Sequence, residues 1–292
     1  SPFLSKSTSG RICDKVKKKR LIHTMQPLYS LHLPTHSPQT HPPLAIVHGL
    51  FGSGRNWQSI GKALSQERSL WLIDQRNHGK SPHQAEINLD LLSQDLLEWR
   101  QQQNFSELSL MGHSLGGQVA MAYALRYSPS RLRHLIVVDV APKAYDPQRF
   151  AFIEALLKLD LSQLASRSDA DQRLSDALPD RETRQFLLSN LSRTESGQWA
   201  WQMNLQALAD NLNALSQSPL SLFADSPESF AECPVLFIRG GNSNYIQPSD
   251  ERLILKLFPE AEIITVPEAG HWVHYQQPEA FVRIVSDFLN TN

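Results

Sequence analysis

Gly112-His113-Ser114-Leu115-Gly116 is the stretch whose residue types and spacing most directly allow covalent chemistry. An apolar run ends at Gly112 and a helical pattern begins just after Ser114. A serine forced into a sharp, strained strand-to-helix turn needs neighbours without bulk two residues to either side, and Gly112 and Gly116 supply that. Such a turn exposes Oγ at a helix N-terminus and leaves the next N–H, that of Leu115, free to bind an oxyanion. A serine nucleophile also needs a base. His271, in "AGHWVHYQQPEAF", follows the last apolar run and a glycine, in the chain order serine, acid, histidine. His274 is its local rival, but Gly270 gives the His271 loop freedom to reach over a sheet edge, and His274 lies nearer a helix. A second oxyanion donor comes from "VHGLFGSGRNW", where a Gly-rich loop leaves a strand; Leu50 is the expected donor and Phe51 the runner-up. His48, His78 and His113 read as structural residues that orient loops.

The acid is harder to place. The chain order serine, acid, histidine calls for an Asp or Glu before His271, and just past the strand-like run "LFIRG" stand Asn242, Ser243 and Asn244 instead. A neutral amide offers no countercharge to an imidazolium, although Asn242 or Asn244 could hydrogen-bond near the histidine loop or the carboxylate. Three carboxylates compete. Asp250, in "PSDERLILKLF", reads as first-turn helix chemistry behind a Ser249 N-cap. Asp210 reads as helical surface. Asp139 ends the run "RHLIVVDV", where a charge is expensive without a partner. His271 would be a suitable partner; the competing reading has Asp139 capping the turn at Pro142.

Those residues must be held by strands and helices, and the pattern provides both. "LAIVHG", "SLWLID", "LSLMGH", "RHLIVVDV", "PVLFIRG" and "EIITVP" are apolar on consecutive residues, as parallel strands covered on both faces are. Helical spacing fills the segments between them, which predicts a doubly wound parallel sheet. Residues 26–34 predict an added edge strand. Residues 143–231 hold no convincing strand and are too long for a loop, so they predict a helical cap. The expected organisation is a basic disordered leader over 1–24, a core in two parts over 25–142 and 232–292, and the cap over 143–231.

The bulk composition excludes several classes. With 41% hydrophobic residues in 292, a sizeable core can form. A net charge of −1 gives no basic field for nucleic acid. Two cysteines, Cys13 and Cys233, without ligand spacing argue against a disulfide framework or a metal site and for a reducing, cytoplasmic setting. No stretch is long and apolar enough to span a membrane.

"HGLFGSGRNW", "DQRNHGKSP", "GHSLGG", "FIRGGNSNYI" and "AGHWVH" together resemble the α/β-hydrolase superfamily over about residues 25 to 290. Within it, "RNHG" and "GGNS" are similar to the small esterases of the YbfF and abhydrolase domain-containing protein 11 type. The resemblance implies an α/β-hydrolase fold without cofactor, carboxylesterase or acyl-thioesterase activity, and an acid after the strand that follows the nucleophile helix, which is Asp139. The expected triad is Ser114, His271 and Asp139, with Leu50 and Leu115 as oxyanion donors and Phe51, Trp199 and Trp201 lining the acyl pocket. The partner is a small acyl ester or thioester. Two other readings stay open, a lyase or C–C hydrolase of the menaquinone-pathway-synthase type on the same scaffold and a non-catalytic binding protein.

Overall fold

A computed structural model describes residues 26–37, 41–127 and 131–291. The expected leader over 1–24 and Cys13 lie outside the described residues.

Seven strands form the central sheet: β1 (Ser30–Leu33), β2 (Leu44–Val47), β3 (Leu70–Ile73), β4 (Leu108–His113), β5 (Leu132–Val138), β8 (Val235–Gly240) and β9 (Glu262–Val266). Their order is β1-β3-β2-β4-β5-β8-β9. Only β1 runs antiparallel, on β3, which makes it the edge strand expected from residues 26–34. Every residue of β2 and β4 is buried, which explains why these strands read as unbroken apolar runs: helices cover both faces.

On one face lie α1 (Gln58–Leu64) and α11 (Pro278–Leu289), packed with Trp57, Met111, Ile136 and Ile238. On the other lie α2 (Leu89–Gln103), α3 (Leu115–Tyr127) and α9 (Glu251–Leu257). Local chemistry sets their ends. The Asn88 side chain accepts from the Leu91 N–H to start α2, and Asn104, at φ 54°, stops it in the left-handed region. Pro278 opens α11, where its missing N–H costs nothing.

Between β5 and β8 the chain forms α4 (Ile153–Lys158), α5 (Arg167–Leu174), α6 (Arg181–Leu188), α7 (Leu205–Asp210) and α8 (Leu212–Leu215). It also forms a two-stranded hairpin, β6 (Leu191–Arg193) with β7 (Trp199–Trp201), where the sequence predicted no strand. Three-residue strands are too short to show a period, and only Gly197, at φ 80°, marks the turn. A second correction concerns the start of α9. Ser249 is not its N-cap; Asp250 holds that position, after a 3-10 turn over Pro248–Asp250. Finally, α10 (Val273–Gln276) carries His274, which the sequence placed nearer a helix than His271.

Because successive strands add on opposite sides of β2, β3 on one and β4 on the other, the carboxyl ends of β2 and β4 border a crevice. The loops after β2, β4, β5, β8 and β9 all emerge on that edge, since these strands are parallel.

Candidate active site

Ser114 stands between the end of β4 and the first residue of α3, at φ 53°, a conformation that costs a non-glycine residue energy. Its glycines are required by close approach. A Cβ on Gly112 would lie 2.1 Å from the Gly116 carbonyl oxygen, and one on Gly116 would lie 2.2 Å from that of Val47. The Ser114 N–H is spent on the Val138 carbonyl at 3.0 Å, which ties the turn to β5.

His271 reaches this turn from the loop after β9. Its Nε2 lies 2.9 Å from Ser114 Oγ and its Nδ1 lies 2.8 Å from Asp139 Oδ2. Asp139 is fully buried, at φ 51°, directly after β5. Its Oδ1 accepts the Gly240 N–H at 2.9 Å, and its Oδ2 also accepts the Ser243 hydroxyl. The acid-free stretch "GGNSNY" therefore supplies donors to a carboxylate carried by the neighbouring strand. β5 lies between β4 and β8, so one carboxylate can face both.

The rival acids sit elsewhere. Asp250 Oδ2 binds Lys143 Nζ at 2.6 Å and accepts the Gln247 N–H at 2.8 Å. Asp210 is exposed and bonds to Gln206. Asn244, which the sequence offered as a partner near the carboxylate, instead accepts from Arg149 at 3.1 Å. Asn242 contributes its backbone N–H to Ala269. Ser243 is the residue that reaches Asp139, and sequence inspection passed over it because the gap in the acid pattern drew attention to the amides.

Aromatic stacking and a hydrogen bond hold the His271 loop. Tyr245 stacks on the imidazole at 3.7 Å and 11°, and the Arg149 guanidinium lies 4.7 Å from the Tyr245 ring centre. Burial raises the Tyr245 phenol above its ordinary pKa. His113 Nε2 donates to the His271 carbonyl at 2.9 Å, and burial followed by the nearby His271 and His274 hold His113 well below 6.5, in its neutral form. His274 stacks on Trp57 at 3.8 Å and is buried, away from the serine's proton.

The loop after β2 carries Leu50 and Phe51, and two neutral histidines shape it. His78 Nε2 accepts the Phe51 N–H at 3.1 Å while its Nδ1 donates to the Arg76 carbonyl. Phe51 is thereby excluded as a free donor. His48 donates from Nδ1 to the Gly49 carbonyl and accepts the Gln75 N–H on Nε2. The Leu50 and Leu115 N–H groups donate to no protein acceptor among the described residues.

Burial, the largest cause in each case, lowers His48 to about 4, His78 to about 3 and His274 to about 3. The accepting nitrogens of His48 and His78 already face N–H donors, so a proton there has no room. The sign follows from linkage. Below 6.5 the unfolded chain takes up protons that the folded chain refuses, so stability falls with falling pH. Each histidine contributes up to about 1.4 kcal/mol per pH unit until its folded value is reached. The urea midpoint is therefore expected to be flat above pH 6.5 and to drop steeply from pH 6.5 to 4.5; an unchanged midpoint over that range would contradict neutral burial of these rings.

A cavity of about 280 Å³ opens beside Ser114 and His271. Leu50, Phe51, Phe150, Phe152, Phe186 and Trp272 give it an apolar wall. Phe51 packs on Phe150 and Phe152 with ring centres 5.9 and 5.6 Å away. Trp199 and Trp201, expected here from the sequence, do not line it. Trp199 borders a separate hollow with Leu161 and Arg193, its indole N–H bonded to the Leu164 carbonyl, and Trp201 pairs with Leu191 in the hairpin. The β6–β7 hairpin holds both tryptophans outside the cavity lining; α6 and the segment before α4 provide the wall instead. Among the described residues, no group of three His, Cys, Asp or Glu side chains is disposed to hold a metal ion. No described helix is long and apolar enough to cross a membrane.

Residues 42–278 match the α/β-hydrolase fold family, and the chain belongs to it. It is 39% identical to the sn-1-specific diacylglycerol lipase ABHD11 of Mus musculus over 258 residues, covering 86% of this chain and 81% of that protein. It is 32% identical to esterase YbfF of Escherichia coli strain K12, covering 85% of this chain and 93% of the esterase. Among solved structures, a marine microorganism esterase superposes with a TM-score of 0.83 at 34% identity, covering 90% of this chain and 99% of that one.

Proposed function

We propose that the chain is a serine hydrolase that cleaves carboxylic esters through an acyl-enzyme, with Ser114, His271 and Asp139 as its triad. The observation that carries this reading is the unbroken relay, Ser114 Oγ to His271 Nε2 at 2.9 Å and His271 Nδ1 to Asp139 Oδ2 at 2.8 Å, opening on an apolar cavity. His271 takes the Ser114 proton as Oγ attacks the carbonyl carbon, and Asp139 keeps the imidazole in the Nδ1–H tautomer. The oxyanion that develops sits against the Leu50 and Leu115 N–H groups. His271 then returns the proton to the departing alkoxide, and a water repeats the sequence to release the acid. Acyl thioesters are open to the same attack. The esterase and lipase names of the relatives favour this chemistry over a lyase or a binding protein.

Residues 143–231 act as a cap that sets acyl size through Phe150, Phe152 and Phe186. A cytoplasmic setting fits the cysteine usage, two residues with no disulfide-framework spacing. The glycerolipid ester in the mouse relative's name falls within the proposed substrate class.

The test is turnover of p-nitrophenyl esters and acyl-CoAs of increasing chain length. Ester hydrolysis is expected across the short and medium chains, and none on any ester would overturn the reading. Phe152→Ala is expected to move the preference towards longer chains by several-fold while acetate turnover stays within about twofold, because removing the ring lengthens the cavity. Trp201→Ala is expected to leave the preference in place. Equal effects of Phe152→Ala on every chain length would remove this side chain from the acyl pocket.

A further inference from the structure

The loop that carries His271 is held on both sides of that residue, by two different parts of the fold. After it, His113 Nε2 binds the His271 carbonyl. Before it, the Gly270 N–H donates to Gln276 Oε1 at 2.5 Å, and Gln276 Nε2 donates to Glu182 Oε2 at 2.8 Å. Glu182 belongs to α6, in the insertion between β5 and β8, whose Thr183, Phe186 and Leu187 line the Ser114 cavity. The same helix touches this loop a second time, where Phe186 packs on Trp272 at 5.3 Å.

The Gln276 amide can sit only one way. Its oxygen must face Gly270, which offers nothing but an N–H, and its nitrogen must face a carboxylate, which offers nothing but acceptors. Rotating the amide would lose both bonds. The bond to Glu182 is charge-assisted and so the stronger of the two kinds. The Gln276 amide packs directly on Gly270, where a built Cβ would meet Oε1 at 3.0 Å.

We infer that Gln276 is a positioning residue that couples the seating of α6 over the cavity to the placement of the His271 loop, acting as a latch between Glu182 and the Gly270 N–H. With α6 seated, Glu182 holds the Gln276 amide and the amide holds the peptide preceding the general base. With α6 withdrawn, the amide loses its charged partner, and the Gly270 N–H is held by a side chain no longer fixed at its far end. Catalytic geometry is thereby completed only when the cavity wall is in place. The inference rests on the proposed role of His271 and adds to it a dependence on the insertion.

Glu182→Ala and Gln276→Leu test it, each read by kcat, KM, thermal midpoint and the rate of Ser114 labelling by a fluorophosphonate. A displacement of the base by about 1 Å can cost on the order of 100-fold. Each variant is expected to lose about tenfold or more in kcat and in labelling rate on p-nitrophenyl acetate, with KM nearly unchanged. The double variant should be no worse than Gln276→Leu alone, because both cut one chain of bonds. Glu182→Gln should restore most of the loss, since its amide oxygen can accept the same bond. Glu182 is half-buried on a helix surface, so Glu182→Ala remains informative if Gln276→Leu folds poorly. Wild-type kcat in a folded Glu182→Ala, or losses that multiply in the double variant, would overturn the latch. Wild-type turnover and labelling in the same assays would leave the ester-hydrolase reading intact.

Discussion

Asp139→Asn is expected to lower kcat for ester hydrolysis by about 10⁴ with KM little changed, on the scale of the same exchange in a related triad. The reason lies in the three donors that meet this carboxylate. Oδ1 accepts from Gly240, and Oδ2 accepts from both Ser243 and His271. An amide has one oxygen. If that oxygen stays on Gly240, the new NH₂ faces His271 and drives its proton onto Nε2, which then points a hydrogen at Ser114 in place of a lone pair. If the amide turns over, an N–H opposes the Gly240 N–H in a fully buried site. Either way the base is in the wrong tautomer or the support is broken. Asp250→Asn and Asp210→Asn should stay within a few-fold, since Asp250 is occupied by Lys143 and Gln247 and Asp210 faces solvent. Steady-state kinetics of the three variants decide the matter, and a collapse in Asp250→Asn alone would move the acid to the loop after β8.

Ser114→Ala is expected to remove ester turnover by about 10⁶ and to abolish fluorophosphonate labelling, while the fold is kept. Ser114 Oγ bonds only to His271 among the described residues, so its loss leaves no buried donor stranded. The strained φ is held by the Ser114 N–H bond to Val138 and by the glycine contacts on either side, none of which uses the hydroxyl. A thermal midpoint near that of the wild type should therefore accompany the loss of activity. Retained turnover would show that a different group attacks the ester.

The two glycines around Ser114 could be read from the chain because the constraint is local. A strand-to-helix turn this tight needs small residues at fixed offsets, and sequence shows offsets. The strands were legible for a related reason: burial on both faces removes the alternation that a half-exposed strand would carry. Asp139 stood out as a charge closing an apolar run, and His271 as the histidine on a glycine-led loop after the last strand.

What the chain alone could not disclose are contacts between segments far apart in sequence. Ser243 reaches Asp139 across 104 residues, and Glu182 reaches Gln276 across 94. Nothing in the local pattern around either residue differs from an ordinary loop or helix turn. The aromatic wall shows the same limit more sharply. The insertion is rich in aromatic residues, and their hydrophobicity predicts burial for all of them, but burial has no direction. Phe150, Phe152 and Phe186 face the cavity and Trp199 and Trp201 do not, because three-residue strands β6 and β7 pair into a hairpin that carries the tryptophans away. The sequence by itself determined the sheet, the serine turn and a short list of bases and acids, since these follow from spacing, strain and the cost of an unpaired charge. Only the tertiary structure decided which carboxylate meets His271, which hydroxyl supports it and which rings line the cavity, since those depend on how packed elements bring distant residues to one place.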